Sequence, residues 1–177
     1  MAAPIGFAED RAHHTYDPEA VQRYFRVLSG VDRVFRRHRA RFRGRTTPVH
    51  FFWGSFDLAV TRYSGRPATP PPGAGTIMRH SEDAEQICVG WWPGDQRLPE
   101  PAFFAYGYPK PAGIEEARIG PDGAAWNDAI GEFLLPYEAV RGAASPEGAI
   151  TEFLETTYDA AAARMAWSED LLERPAR

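Results

Sequence analysis

Cysteine is nearly absent: Cys88 stands alone among 177 residues. That excludes a disulfide framework and a cysteine-rich zinc site. Lysine is as scarce, with Lys110 the single lysine beside 19 arginines. No apolar run approaches the roughly 20 residues a membrane-spanning helix needs. The opening MAAPIGFAEDRAHH has neither the basic start nor the apolar stretch of a secretory signal, so the expected location is cytoplasmic. Internal repeats are missing. So are the short motifs of common chemistry: the phosphate-cradling GxxxxGK[ST], the dinucleotide GxGxxG, the zinc-protease HExxH and the hydrolase GxSxG. His13 and His14 are adjacent rather than spaced for one metal on one helix face. No metal and no organic cofactor are expected.

What is present suits one globular domain over residues 1–177. A chain of this length buries roughly 70% of its unfolded surface. Apolar residues at 44% and aromatics at 13% can build the core. The net charge of −4 argues against nucleic acid as the partner, but the charge is unevenly spread. Residues 33–45 hold seven arginines and no acid, whereas residues 46–177 hold 10 basic and 19 acidic residues. The arginine run reads either as a solvated helix end or as an anion or nucleic-acid surface; the latter needs Arg36, Arg37, Arg39, Arg41 and Arg43 in one exposed stripe.

Asp17-Pro18-Glu19 is a helix start: a capping acceptor, a proline in the first turn and an acid there. Val21, Tyr24, Phe25, Leu28, Val31 and Phe35 follow at helical spacing, so a helix is expected from 18 to about 40. His50 to Tyr63 (HFFWGSFDLAVTRY) is aromatic and β-branched and reads as one long strand. Alternation then sorts His50, Phe52, Leu58, Val60 and Arg62 onto one face, and Trp53, Ser55, Asp57, Thr61 and Tyr63 onto the other. The proline-rich 66–75 is a loop. Further strands are expected at 85–92, 102–108, 115–119 and 131–135, with a short helix at 136–141. A last helix starts at Ser145-Pro146-Glu147 and buries Ile150, Phe153, Leu154, Thr157, Tyr158 and Met165. The order implies an α+β fold: a mainly antiparallel sheet packed by an N-terminal and a C-terminal helix.

Chemistry concentrates in Trp53, Ser55 and Asp57. A carboxylate beside a hydroxyl on an aromatic face can act as a general base or bind a substrate ammonium. The plain alternative is a solvated strand face. His50 and Arg62 read as structural residues near strand ends. Trp91, Trp92, Tyr106 and Tyr108 line either a pocket or the core. Glu85, alternating with Ile87 and Val89, needs a partner if that face is covered.

The blocks PVHFFWGSFDLAVTRYSGR (48–66), GWWPG (90–94), PAFFAYGYP (101–109) and GEFLLPYEAVR (131–141) carry a resemblance. With DPEAVQRYFRVLSGVDRVFRRHRARF before them, they resemble an uncharacterised bacterial family of unknown function over about residues 6–172. Two departures stand out. Members of that family usually carry an additional N-terminal half, and they more often show an acid where Lys110 follows YP. The chain is also similar to the larger subunit of a split version of the family, the two-protein aziridine-forming enzyme of azinomycin biosynthesis. That resemblance implies a cofactor-free cyclase or lyase closing a three-membered ring, an amine displacing a sulfate ester, together with a small partner protein. It would make Asp57 the amine-facing carboxylate and Ser55 its orienting hydroxyl. Lys110 or Arg62 would receive the sulfate, His50 or His80 would support either role, and Trp53, Glu85 and Tyr106 would contribute to substrate binding. The rival expectation is a non-catalytic small-molecule binding module.

Overall fold

The computed structural model describes residues 6, 8–11 and 15–173; the His13-His14 pair lies outside them. Helix α1 spans Pro18–Ala40, and the Asp17 carboxylate accepts from the backbone N–H groups of Glu19 and Ala20 as the cap signal implies. Strands β1 (His50–Phe52) and β2 (Asp57–Pro67) follow, then a short helix α2 (Thr76–Ser81). Strands β3 (Ala84–Trp92), β4 (Ala102–Tyr108), β5 (Ala125–Asn127) and β6 (Glu132–Pro136) come next. The chain closes with α3 (Tyr137–Gly142) and α4 (Pro146–Arg164), the latter capped by the Ser145 hydroxyl. All strand pairs are antiparallel, in the order β1-β2-β3-β4-β6-β5. The architecture is α+β.

Three expectations are corrected. Residues 50–63 form a hairpin rather than one strand, with His50 opposite Ala59 and Phe52 opposite Asp57. The turn at 53–56 closes with Phe56 in the left-handed region (φ 58°), its N–H donating to the Phe52 carbonyl at 2.7 Å. A fold-back reverses the alternation across it, so His50 and Phe52 share the face of Asp57 instead of opposing it. The strand expected at 115–119 is a 3₁₀ turn, Ile114–Glu116, and the edge strand lies further on, at β5. β2 runs on to Pro67, so the loop expected over 66–75 starts later, and α2 follows it.

One face of the sheet is sealed. Leu58 and Val60, Ile87, Val89 and Trp91, Phe103 and Ala105, and Phe133 and Leu135 pack beneath α1 and α4. Phe35 of α1, Phe103 of β4 and Phe153 of α4 are fully excluded from solvent. Each such ring contributes roughly 1.5–3 kcal/mol by leaving water. Arg62 lies within this layer and only 2% of it is exposed. Its guanidinium sits 5.1 Å from the Phe42 ring and 4.7 Å from the Tyr158 ring, and it donates to the His38 carbonyl. Burial lowers its pKa to about 10. Burial, then the neighbouring Arg62 and Arg41 charges, pushes His38 well below the usual histidine range, so His38 is neutral.

The arginine run is dispersed. Arg36 pairs with Asp32 at 2.6 Å, Arg37 with Glu147 at 2.6 Å, and Arg41 with Glu155. Arg39 donates to the Thr47 carbonyl, and Arg45 lies over the Tyr63 ring. These partners are exposed enough that each pair adds little stability, but together they break up the stripe a nucleic acid would need. Among the described residues no helix is long and apolar enough to cross a membrane.

The open face of the sheet depends on Gly90. A Cβ there would sit 2.9 Å from the Leu58 carbonyl oxygen and would overlap the Phe104 ring. Gly90→Ala should therefore lower stability by about 1–3 kcal/mol in urea denaturation, with the m-value unchanged.

Candidate functional site

The face turned away from α1 and α4 is built from the alternate residues of the same strands. Asp57, Ala59, Thr61 and Tyr63 come from β2, and Gln86, Cys88, Gly90 and Trp92 from β3. Phe104 and Tyr106 come from β4, and Glu132 from the start of β6. Ala59 lies opposite Gly90, and the Phe104 ring from β4 lies over Gly90 where a side chain would otherwise stand. The face holds a cavity of about 930 Å³. The hairpin turn (Phe52, Ser55, Phe56) stands over one side, Ile77 of α2 over another, and the Asp95–Arg97 turn over a third.

The floor is polar and its edges are aromatic. Phe104 and Tyr106 stack with centroids 6.4 Å apart and planes 13° from parallel. Cys88 lies in register between Thr61 of β2 and Tyr106 of β4 on this face. The adjacent Cys88 sulfur, then burial, raises the Tyr106 hydroxyl, which stays protonated. Burial lifts Cys88 to about 11, so the thiol is no nucleophile at neutral pH. The Ser55 hydroxyl donates to Asp57 Oδ1. Arg97 pairs with Asp95 at 2.9 Å and lies 5.5 Å from the Trp92 ring centroid. Among the described residues no cluster of three or more His, Cys, Asp or Glu is arranged to hold a metal ion.

Glu132 is the unusual group. No hydrogen bond or ion pair within 4.0 Å engages its carboxylate among the described residues. Its pKa is raised to about 7, chiefly by burial, with the Asp57 charge adding to the rise and Arg97 opposing it. A carboxylic acid that titrates near neutrality, faces a cavity and has no structural partner is placed for proton transfer.

The sequence candidates divide. Ser55, Asp57 and Tyr106 come together in the cavity. Ser55 meets Asp57 because a turn brings them together, not because a strand alternates. His50 lies on the same face but is exposed at the sheet edge, its ring 5.9 Å from Phe52. Trp53 sits at the hairpin tip, 79% exposed, outside the cavity lining. Arg62 is in the opposite, sealed layer and cannot reach a ligand here. Lys110 pairs with Glu115 at 3.4 Å and lies 4.9 Å from the Trp126 ring centroid. It does not line the cavity. His80 is exposed on α2. Glu85 accepts from Ser64 and from Arg66, each at 2.9 Å, and Arg66 in turn donates to the Met165 and Ala166 carbonyls beyond α4. Glu85 thus fastens the sheet to the C-terminal helix.

Glu132 and Arg97 were not among the candidates. Glu132 had a legible signal, an acid alternating with Phe133 and Leu135 that must face the other way. Arg97, in a turn after GWWPG, had none.

The model of a family of unknown function (DUF5996) matches residues 1–174. No curated protein and no solved structure matches the chain.

The raised pKa of Glu132 makes stability depend on pH in a defined direction. The unfolded carboxyl ionises near 4.5 and the folded one near 7. Between those values the folded state holds a proton the unfolded state has lost, so stability falls as pH rises and levels off above about 7. Glu132→Gln removes this penalty. The variant should match the wild type at pH 4 and exceed it at pH 8 by on the order of 2 kcal/mol in urea unfolding.

Proposed function

We propose that this chain, which belongs to the DUF5996 family of unknown function, is a cofactor-free enzyme performing acid–base chemistry on a small amine-bearing metabolite. The observation that carries this reading is Glu132: an unpartnered carboxyl with pKa about 7 facing a cavity it shares with Asp57. Two carboxylates among aromatic walls favour a cationic ligand, through charge and through the ring faces. Asp57, oriented by Ser55, would hold the ammonium. Glu132 would take a proton from it.

The resemblance to the aziridine-forming enzyme makes the reaction specific. The amine nitrogen gives a proton to the Glu132 carboxylate. Its lone pair forms the new C–N bond while the C–O bond to sulfate breaks, and sulfate leaves with the electron pair. Arg97 is the cation among the lining residues and takes the role expected of Lys110 or Arg62, a charge-assisted donor to the departing sulfate. Holding amine and carbon in line inside the cavity supplies several kcal/mol of the barrier reduction. A second reading, a non-catalytic binding module, is favoured by the position of Arg62 and Lys110, both away from the cavity.

Incubation with a 2-aminoalkyl sulfate ester, with free sulfate read by ion chromatography, tests the proposal. The wild type should release sulfate with kcat/KM rising through pH 7 to a plateau, following the ionisation of Glu132. Glu132→Gln should cost about 10²-fold or more and abolish that limb. Asp57→Asn should raise KM. Binding seen by thermal shift without sulfate release would select the binding module. Neither binding nor release by this probe would remove the ring-closing version.

A further inference from the structure

The β1–β2 hairpin exposes more apolar surface than the rest of the sheet edge can account for. Phe51, Phe52 and Phe56 are 46%, 49% and 56% exposed, and Trp53 at the tip is 79% exposed. Ile77, across the cavity mouth, is exposed as well. At about 200 Å² for a whole aromatic side chain, the four rings alone present roughly 450 Å² to water. A patch of about 450 Å² is as large as the largest that an ordinary monomer carries, and such patches are often functional.

The patch coincides with an open edge. β1 is the terminal strand of the sheet, and among the described residues its outer side pairs with no strand. Soluble proteins blunt such edges with lysine, proline or charge inside the strand. Here the strand is His50-Phe51-Phe52, with no lysine, arginine, carboxylate or proline within it. The tip is also held in place. The Tyr24 hydroxyl of α1 donates to the Phe56 carbonyl, and the Tyr24 ring lies 6.3 Å from Phe56 and 5.6 Å from Trp91. The aromatic surface is therefore presented on a rigid support, so little ordering cost opposes docking.

We propose that a second copy of this chain covers the hairpin, joining the two sheets through antiparallel β1–β1 pairing. A two-fold axis at Phe51 sets Phe51 against its equivalent and places His50 of each protomer opposite Phe52 of the other. That pair repeats a contact the strand already makes within itself, where the His50 and Phe52 rings lie 5.9 Å apart. The surface is self-complementary, as an isologous interface requires. The four rings counted on both protomers offer at most roughly 900 Å², and with backbone and flanking side chains the available area is on the order of the roughly 1,000 Å² that a specific interface clears. Phe52 and Phe56 also line the cavity, so the second copy completes the wall of the binding site at its mouth. The dimer stands whether or not the cavity is catalytic, because its test reads mass and not turnover.

Sedimentation equilibrium on the purified chain, loaded over a range of concentrations, should give twice the 19.8 kDa chain mass. Phe51→Glu and Trp53→Glu, both at exposed positions, should each return it to 19.8 kDa with an unchanged circular dichroism spectrum. A wild-type chain that is monomeric at every concentration overturns the proposal and leaves the edge to a different protein. A dimer that survives both substitutions overturns it too, because the contact would lie elsewhere.

Discussion

The contact of Phe35 with Phe103 holds the molecule in its present form. The two rings meet edge to face with centroids 6.4 Å apart, and neither is accessible to solvent. Phe35 stands near the C-terminal end of α1 and Phe103 at the start of β4, so this one pair fixes the first helix over the middle of the sheet. Phe153 and Leu154 of α4 complete the layer from the other end of the chain. Once this layer takes every second residue of β2, β3, β4 and β6, the remaining residues can only face the other way. No long helix covers that second face. The cavity follows from packing on the opposite side.

The same constraint explains why polar groups gather in the cavity. Thr61, Gln86, Cys88, Tyr106 and Glu132 all stand one residue away from members of the sealed layer. Two charged residues on the sealed side of the strands break the pattern and are handled differently. Arg62 is sandwiched between Phe42 and Tyr158, and Glu85 at the layer's edge is tied to Arg66 and Ser64. Among the described residues Glu132 has no such partner. A half-buried carboxyl without a partner is costly to stability, and such a cost is commonly retained where chemistry needs it.

Much of the fold was legible in the residues. Asp17-Pro18-Glu19 and Ser145-Pro146-Glu147 marked two helix starts because capping is a local interaction, written within four residues. The strands at β3 and β4 were legible because their apolar content is continuous. The hairpin was not. Its turn, Trp53-Gly54-Ser55-Phe56, lacks an Asn-Gly or Asp-Gly pair, and the left-handed residue is Phe56 rather than the glycine. Anchoring by Tyr24, 32 residues earlier in the chain, supports that conformation, and no local pattern records such a contact. The site was half legible for the same reason. Ser55 and Asp57 are neighbours in sequence, whereas the pKa of Glu132 arises from burial and from Asp57 and Arg97, residues that only the folded sheet brings near it.

Cys88 has a use that follows from its position. It is the single thiol of the chain, sits in the floor of the cavity and is held protonated by burial. A disulfide reagent reaches it through the cavity, when motion of the floor uncovers the sulfur. The rate of its modification is thus a built-in clock for the opening of this face. A ligand that fills the cavity would slow that clock in proportion to its occupancy, without any label being introduced.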